Sequence, residues 1–269
     1  MKISRRKWAI LGTIIIWIGI LSYLGTSIFF VKGKDKDIIC RRVEVVVADS
    51  VKSKFIAKDD VIRMANREVK TLVGTRLSRI NTHRIERRIL ELPFVKNAEA
   101  YTTVSGVLKI KVEQREAIMR LFNPDGSSCY IDSQGYMIPL SDRSAADVVV
   151  VSGNISLKVK KNGRVKVVNA AKDSSYRKGL LPQLFDFVSY IRNDEFWNAQ
   201  IEQIYVNSSN DVELVTRVGN HTVLLGSLDE FRAKLKKLFI FYKNALPSEG
   251  WNKYSVINVK YANQVICKK

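Results

Sequence analysis

Histidine and cysteine are scarce in this 269-residue chain, with two of the first and three of the second. Cys40, Cys129 and Cys267 are odd in number and widely spaced, which excludes a disulfide framework and a cysteine metal site. A Cys129–Cys267 bridge and separate buried thiols both stay open. His83 falls in the first turn of a charged helical stretch and His221 at the start of a strand, both read as surface positions. No HExxH, paired CxxC, GxSxG or phosphate-binding loop occurs, so the usual zinc, thiol, serine and nucleotide chemistries lack their residues. Ser4-Arg5-Arg6-Lys7 fits SxxK but lies in a short tail before an apolar run. Asp125 and Asp132 sit in turns, where aspartate is favoured for local hydrogen bonding. No metal or cofactor is expected, and no catalytic residue. Acidic charge is also thin: 26 carboxylates face 45 Lys and Arg, a net charge of +19. A basic balance suits nucleic acid, anionic lipid or an anionic wall polymer. A plain solvated basic surface is the simplest reading.

Only one long hydrophobic run is present. Trp8 to Val31 (WAILGTIIIWIGILSYLGTSIFFV) carries no charge over 24 residues. At about 1.5 Å per residue it reaches roughly 36 Å, enough for a hydrocarbon core of about 30 Å. It exceeds the ~7–15 residues of a signal-peptide core and is followed by Phe29, Phe30, Val31 and Lys32 rather than a small-residue cleavage site. The expectation is an uncleaved, single-pass anchor at residues 8–31. Cations flank both ends, so the positive-inside count is not decisive. The seven-residue tail (1–7) is short and without acid, and long domains translocate largely regardless of charge. The tail is therefore expected in the cytoplasm and residues 32–269 outside, which makes nucleic acid an unlikely partner.

A charged linker, 32–39, contains KGKDKD. Residues 40–116 then read as a β-α-α-β-β unit. Arg42 to Val47 is β-branched and strand-like, and Val61, Ile62 and Ala65 share a helical face. Asn81 caps a second helix with Ile85, Ile89 and Leu92 apolar, and Pro93 ends it. A hairpin follows from Val95 to Glu113 around Ser105-Gly106. Its second arm alternates Leu108, Ile110 and Val112 with Lys109, Lys111 and Glu113, the period of a sheet with one face on a core. Residues 117–269 read as a second, mostly antiparallel β domain with flanking helices. Its expected strands are 118–122, 129–131, 136–139, 148–151, 201–206, 212–218, 222–225 and 254–261, with a continuation at Val265-Ile266. A basic hairpin is expected around Asn162-Gly163, carrying Lys158, Lys160, Lys161, Arg164 and Lys166. Pro182 opens one helix; Phe196-Trp197 begins a connector. Ser227 with Glu230 forms a capping box for a helix through Ala245, with Arg232, Lys234, Lys236 and Lys237 on its solvent face. The fold class is α+β with an N-terminal transmembrane helix.

These motifs, in this order, resemble one family. Pro93-Phe94-Val95, Ala98-Glu99-Ala100 and Leu108 to Arg115 are similar to the end of a POTRA domain of the FtsQ/DivIB cell-division type. Gly74, Leu77 and Ile80-Asn81 fit the same frame. Tyr130-Ile131-Asp132 with Gly135-Tyr136-Met137, Trp197 with Gln200-Ile201, Gly226 with Phe231 and Lys234-Leu235, and the closing Ile257 to Tyr261 resemble the family's β domain. Departures are Ser105-Gly106 and Glu116, where the family usually has proline, and Asn258-Val259-Lys260-Tyr261 in place of the common Asp-Leu-Arg-Tyr.

The resemblance implies a non-enzymatic scaffold of the bacterial division machinery at the septum, in the plasma membrane. It implies FtsB-type and FtsL-type single-span partners, with septal wall synthases regulated downstream. It further implies that the last strand is an edge onto which an FtsB-type partner adds a strand, by main-chain pairing. Carried onto this chain, that edge is Tyr254 to Tyr261, with Tyr254, Val256, Asn258 and Lys260 on one face beside Tyr261. Internal pairing of that strand is the alternative. Two other functions stay in view: an anchored adaptor gripping an anionic wall polymer through the Lys158–Lys166 hairpin, and a wall hydrolase with an unrecognised site.

Overall fold

The computed structural model describes residues 15–27, 38–48, 54–68, 71–160, 164–168 and 179–269. Helix α1 spans 15–27 and leaves its apolar side chains exposed. The tail 1–7, both ends of the expected 8–31 span and most of the 32–39 linker lie outside the described residues. Among the described residues, no helix is long and apolar enough to cross a membrane.

Two compact units follow. The first takes in residues up to 46 together with 58–89 and 98–111; the second takes in 47–57, 90–97 and 112–269. Strands β1 (Arg42–Ala48), β2 (Val95–Thr102) and β3 (Val107–Gln114) form a three-stranded sheet in the order β1-β3-β2, with helices α2 (Lys58–Asn66) and α3 (Thr82–Leu90) between β1 and β2. This is the β-α-α-β-β order expected from the hydrophobic period. The outer ends of β2 and β3 cluster with the second unit. Val61, Met64 and Ala65 of α2 and Ile85 and Ile89 of α3 are buried, as are Leu108 and Ile110 of β3. Asn81 caps α3, its side chain accepting from the Arg84 N–H at 3.0 Å. Ile38 and Ile39, read from sequence as linker, already belong to the fold: Leu77 N–H donates to Ile38 O at 2.9 Å and Ile39 bridges Arg76. Gly106 holds φ +84 in the β2–β3 turn, and a Cβ there would sit 2.7 Å from Ile39 O.

Among the described residues, the second unit is built on a nine-stranded sheet. In chain order its strands are β4 (Ala117–Phe122), β5 (Ser128–Asp132), β6 (Met137–Pro139), β7 (Val149–Gly153), β8 (Ile201–Val206), β9 (Val212–Thr216), β10 (Thr222–Gly226), β11 (Val256–Asn258) and β12 (Ile266–Lys268). Their spatial order is β12-β11-β10-β9-β8-β7-β4-β5-β6. Most neighbours are antiparallel, but β7 runs parallel to both β4 and β8, and β10 runs parallel to β11. Helices α4 (Leu180–Asn193), α5 (Glu195–Gln200), α6 (Phe231–Asn244) and α7 (Leu246–Glu249) complete the unit. The inward row of the sheet includes Ile204, Leu214, Val223 and Ile257, in one core cluster with Leu184, Phe187, Val188, Trp197, Leu235 and Leu238 from the helices.

Several sequence expectations change here. Phe196-Trp197 lies inside a helix, α5, which starts at Glu195 and is capped by Asp194, whose side chain accepts from Trp197 N–H at 3.0 Å. Ser227 does not cap α6. The helix starts at Phe231, and Glu230 before it is left-handed at φ 51 with no capping hydrogen bond. Leu228 is buried, which draws the segment into the core before the helix can start. Among the described residues, the flanks of Asn162-Gly163 form no ladder with each other. Residues 165–167 instead lie on the β5–β6 turn, with Met137 N–H donating to Val165 O and Val167 N–H to Gly135 O, both at 2.8 Å. The turn itself, 161–163, lies outside the described residues. All three cysteines are free. Cys129 on β5 and Cys267 on β12 stand seven strand spacings apart in the sheet, about 34 Å at ~4.8 Å each, far beyond a disulfide's reach.

Candidate partner-binding edge

A sheet edge is a row of unpaired main-chain donors and acceptors, and the nine-stranded sheet has two ends. At the β6 end, 165–167 covers the turn side through the two hydrogen bonds above and the Tyr136–Lys166 bridge. The β12 end, Ile266–Lys268, has no strand beyond it among the described residues.

This end differs from the edge expected at Tyr254 to Tyr261. The last long stretch is a strand only over Val256–Asn258, with a neighbour on each side. Val256, Ile257 and Asn258 stand opposite Thr222, Val223 and Leu224 of β10, and opposite Lys268, Cys267 and Ile266 of β12. The chain returns after Tyr261 and covers its own strand, so Val256 and Asn258 are interior to the ladder. Tyr254 lies outside the strand and packs toward α6, its ring 6.3 Å from Phe241. Lys260 is held in an ion pair with Asp211 at 2.5 Å, while Tyr261 is half exposed. The five positions therefore do not form one face of an edge; they surround the base of a terminal hairpin.

Main-chain direction follows from the parallel β10–β11 ladder. Thr222 N–H donates to Ser255 O and Val259 N–H to Leu224 O, each at 3.0 Å. The Ser255 C=O, Ile257 and the Val259 N–H thus address β10, while Val256 and Asn258 address β12 and the Ser255 N–H also crosses to Lys268 O at 2.8 Å. Opposite them, Lys268 and Ile266 are tied inward. Alternation leaves the N–H and C=O of Cys267 on the open side. The Cys267 side chain is half-buried, and that burial pushes its thiol pKa up. Ile266 is 46% exposed, giving the edge an apolar contact. Lys268 and Lys269 flank it, the charge pattern that blocks indiscriminate edge-to-edge pairing.

Helix α6 fixes the hairpin in place. Helical spacing alone puts Lys237 on the solvent face. Its Nζ instead donates to Val259 O at 2.9 Å and to Tyr261 O, clamping the chain as it leaves β11. Lys234 likewise donates to Ser227 O at 2.7 Å. Desolvation lowers the pKa of both ammonium groups, and for Lys237 the Lys234 charge adds to it. Neither contact has a local sequence signal, because the acceptors are main-chain carbonyls 7 and 22 residues away.

The unit also holds a cleft of about 440 Å³ between α4, β7 and the start of β8. Its cations are already engaged, Arg192 with Glu116 and the Ala117 carbonyl, and Arg217 with Glu202 at 2.9 Å. Nothing lining it pairs a nucleophile with a base.

Residues 116–268 match the family model described as FtsQ/DivIB, C-terminal related, and residues 38–113 match a POTRA-like domain. A cell division protein FtsQ of Rhodothermus marinus is 24% identical over 201 residues, covering 73% of this chain and 68% of that protein. With more than half of its length on that one model, and the POTRA-like unit preceding it, the chain belongs to the FtsQ/DivIB family of cell-division proteins.

Proposed function

We propose that this protein is a membrane-anchored, non-enzymatic scaffold of the division machinery that takes a partner strand onto the open side of β12. The observation that carries the reading is the Ile266–Lys268 edge, which no strand among the described residues covers, in a chain of this family. Pairing would be led by the Cys267 N–H and C=O, with Ile266 supplying apolar contact and Tyr254, Val256, Asn258, Lys260 and Tyr261 supporting the strand from behind and from the hairpin base. FtsB-type and FtsL-type single-span proteins are the proposed partners, and regulation of septal wall synthases is the proposed outcome. The uncharged run Trp8–Val31 is the proposed anchor, with 1–7 in the cytoplasm and 32–269 outside. In this reading residues 40–116 serve as the POTRA module and 117–269 as the partner-binding domain. Confinement to one membrane raises the effective concentration of such partners. Depletion in growing cells, with imaging of a tagged copy, tests the role: filaments and midcell signal are expected, and normal division would end it.

A further inference from the structure

The solvent side of α6 carries a feature that edge pairing does not use. At helical spacing, Arg232, Lys236, Phe239, Ile240 and Lys243 fall on one face. Phe239 is 40% exposed and Ile240 50%, and Phe196 of α5, 37% exposed, meets Phe239 edge to face at 5.0 Å between ring centroids. Three large apolar side chains thus stand in water with three exposed cations along the same face. Helix α6 contains no carboxylate at all; Glu195, next to Phe196, is the acid closest in sequence to the rings. Its other two cations, Lys234 and Lys237, are engaged with carbonyls on the flank.

Burying exposed phenylalanine and isoleucine surface is favourable in proportion to the apolar area removed from water, so this cluster gains free energy from any apolar layer it can enter. Cations beside aromatic and aliphatic side chains on a convex helix are the composition of a surface that lies in the headgroup layer of an anionic bilayer. The face is a helix surface rather than a groove, so it offers no walls to a peptide. We infer that this α6 face is a peripheral contact site for an anionic lipid surface, with Phe239, Ile240 and Phe196 entering the interface and Arg232, Lys236 and Lys243 meeting the phosphates. The inference builds on the anchored reading, which would keep the chain beside such a surface. Each cation close to an anionic leaflet strengthens binding about fivefold, so removing three weakens engagement on the order of a hundredfold.

The test uses the whole 269-residue chain in lipid nanodiscs, with Ile240→Cys on a Cys267→Ser background carrying a nitroxide. Discs contain phosphatidylcholine alone or with a substantial fraction of phosphatidylglycerol. Collision with a water-soluble nickel chelate and with oxygen reports the label's surroundings. With phosphatidylglycerol, nickel contact is expected to fall severalfold and oxygen contact to rise. Arg232→Glu with Lys236→Glu and Lys243→Glu reverses this, as does Lys236→Glu alone in part. A label at Val215, on the opposite face of the sheet, stays in water throughout. Equal nickel contact in both lipids overturns the proposal. So does protection that persists in detergent and tracks cross-linking between chains, which would make the face a contact between copies. Release of the chain from discs by high salt would sink the anchor reading while leaving a lipid-dependent signal at low salt as support for the patch.

Discussion

Replacing Cys267 by proline separates the edge from the fold beneath it. Proline removes one main-chain donor, and at an edge strand it is tolerated when that donor faces outward. The inward bonds of β12 come from Ile266 and Lys268, opposite Asn258 and Val256, and survive the change. Stability should therefore move by less than about 1 kcal/mol. Binding should lose one main-chain hydrogen bond, about 0.5–1.5 kcal/mol net, a factor of about 2 to 13 in Kd. The added ring crowds an incoming strand, so the upper part of that range is expected. Asn258→Pro is the opposite control, since its donor belongs to the β11–β12 ladder and its loss should unseat the hairpin itself. The measurement is equilibrium titration of the whole chain in nanodiscs with the soluble region of the proposed FtsB-type partner, Cys267→Ser as reference, and urea unfolding alongside. Equal affinity of Cys267→Pro and Cys267→Ser would show that the partner does not pair on this edge.

Two further outcomes concern the folded unit itself. Arg115 and Asp132 form a fully buried ion pair, with the guanidinium 4.0 Å over the Tyr136 ring and Asp132 Oδ1 accepting from the N–H groups of Gln134 and Tyr136. Arg115→Ala strands a buried carboxylate and should cost about 3–5 kcal/mol in urea unfolding, with a cost below about 1 kcal/mol contradicting the assignment. His221 is buried with Nε2 2.7 Å from the Tyr242 hydroxyl, and desolvation lowers its pKa. The unfolded chain then binds a proton that the folded one resists, so stability is full above about pH 6.5 and declines as pH falls from there toward the folded pKa. His221→Gln should flatten the stability difference between mildly alkaline and mildly acidic buffer; an unchanged slope would place the titration elsewhere.

Periodic stretches were legible from sequence, and context-dependent ones were not. Leu108, Ile110 and Val112 alternate over a full strand and lie buried in β3. Ile85 and Ile89 with the Asn81 cap mark the start of α3, which ends at Leu90, ahead of the Leu92-Pro93 stop that the sequence suggests. Helix α5 is six residues long, under two turns, too short for a 3.6 period to emerge. The Ser227–Glu230 spacing satisfied a capping box, yet burial of Leu228 and the left-handed Glu230 outweighed it, a local preference losing to tertiary packing. His221 read as a surface residue because polarity alone does not reveal a buried tyrosine partner 21 positions away. Internal pairing of Val256–Asn258, the alternative for the Tyr254 to Tyr261 stretch, is hidden in the sequence for a similar reason. Alternation from Tyr254 to Tyr261 marks a strand, but only the return of Ile266–Lys268 decides which side of it stays open. Clamps such as Lys237 on main-chain carbonyls leave no trace in residue type.

The position of β7 sets how the second unit can form. Strand β7 pairs Met119–Leu121 about thirty residues back and Gln203–Val206 about fifty ahead, and both pairings are parallel. Neither antiparallel half, β4-β5-β6 or β8-β9-β10, closes the shared core without it. Folding must therefore wait on two long loop closures, which places this unit among slow, high-contact-order folders. During synthesis β4 and β7 emerge well before β8, so an apolar strand rich in valine stands with one side bare. If the chain crosses the membrane unfolded, that interval falls outside the cytoplasm, and shielding of β7 rather than of the finished edge becomes the step most exposed to aggregation.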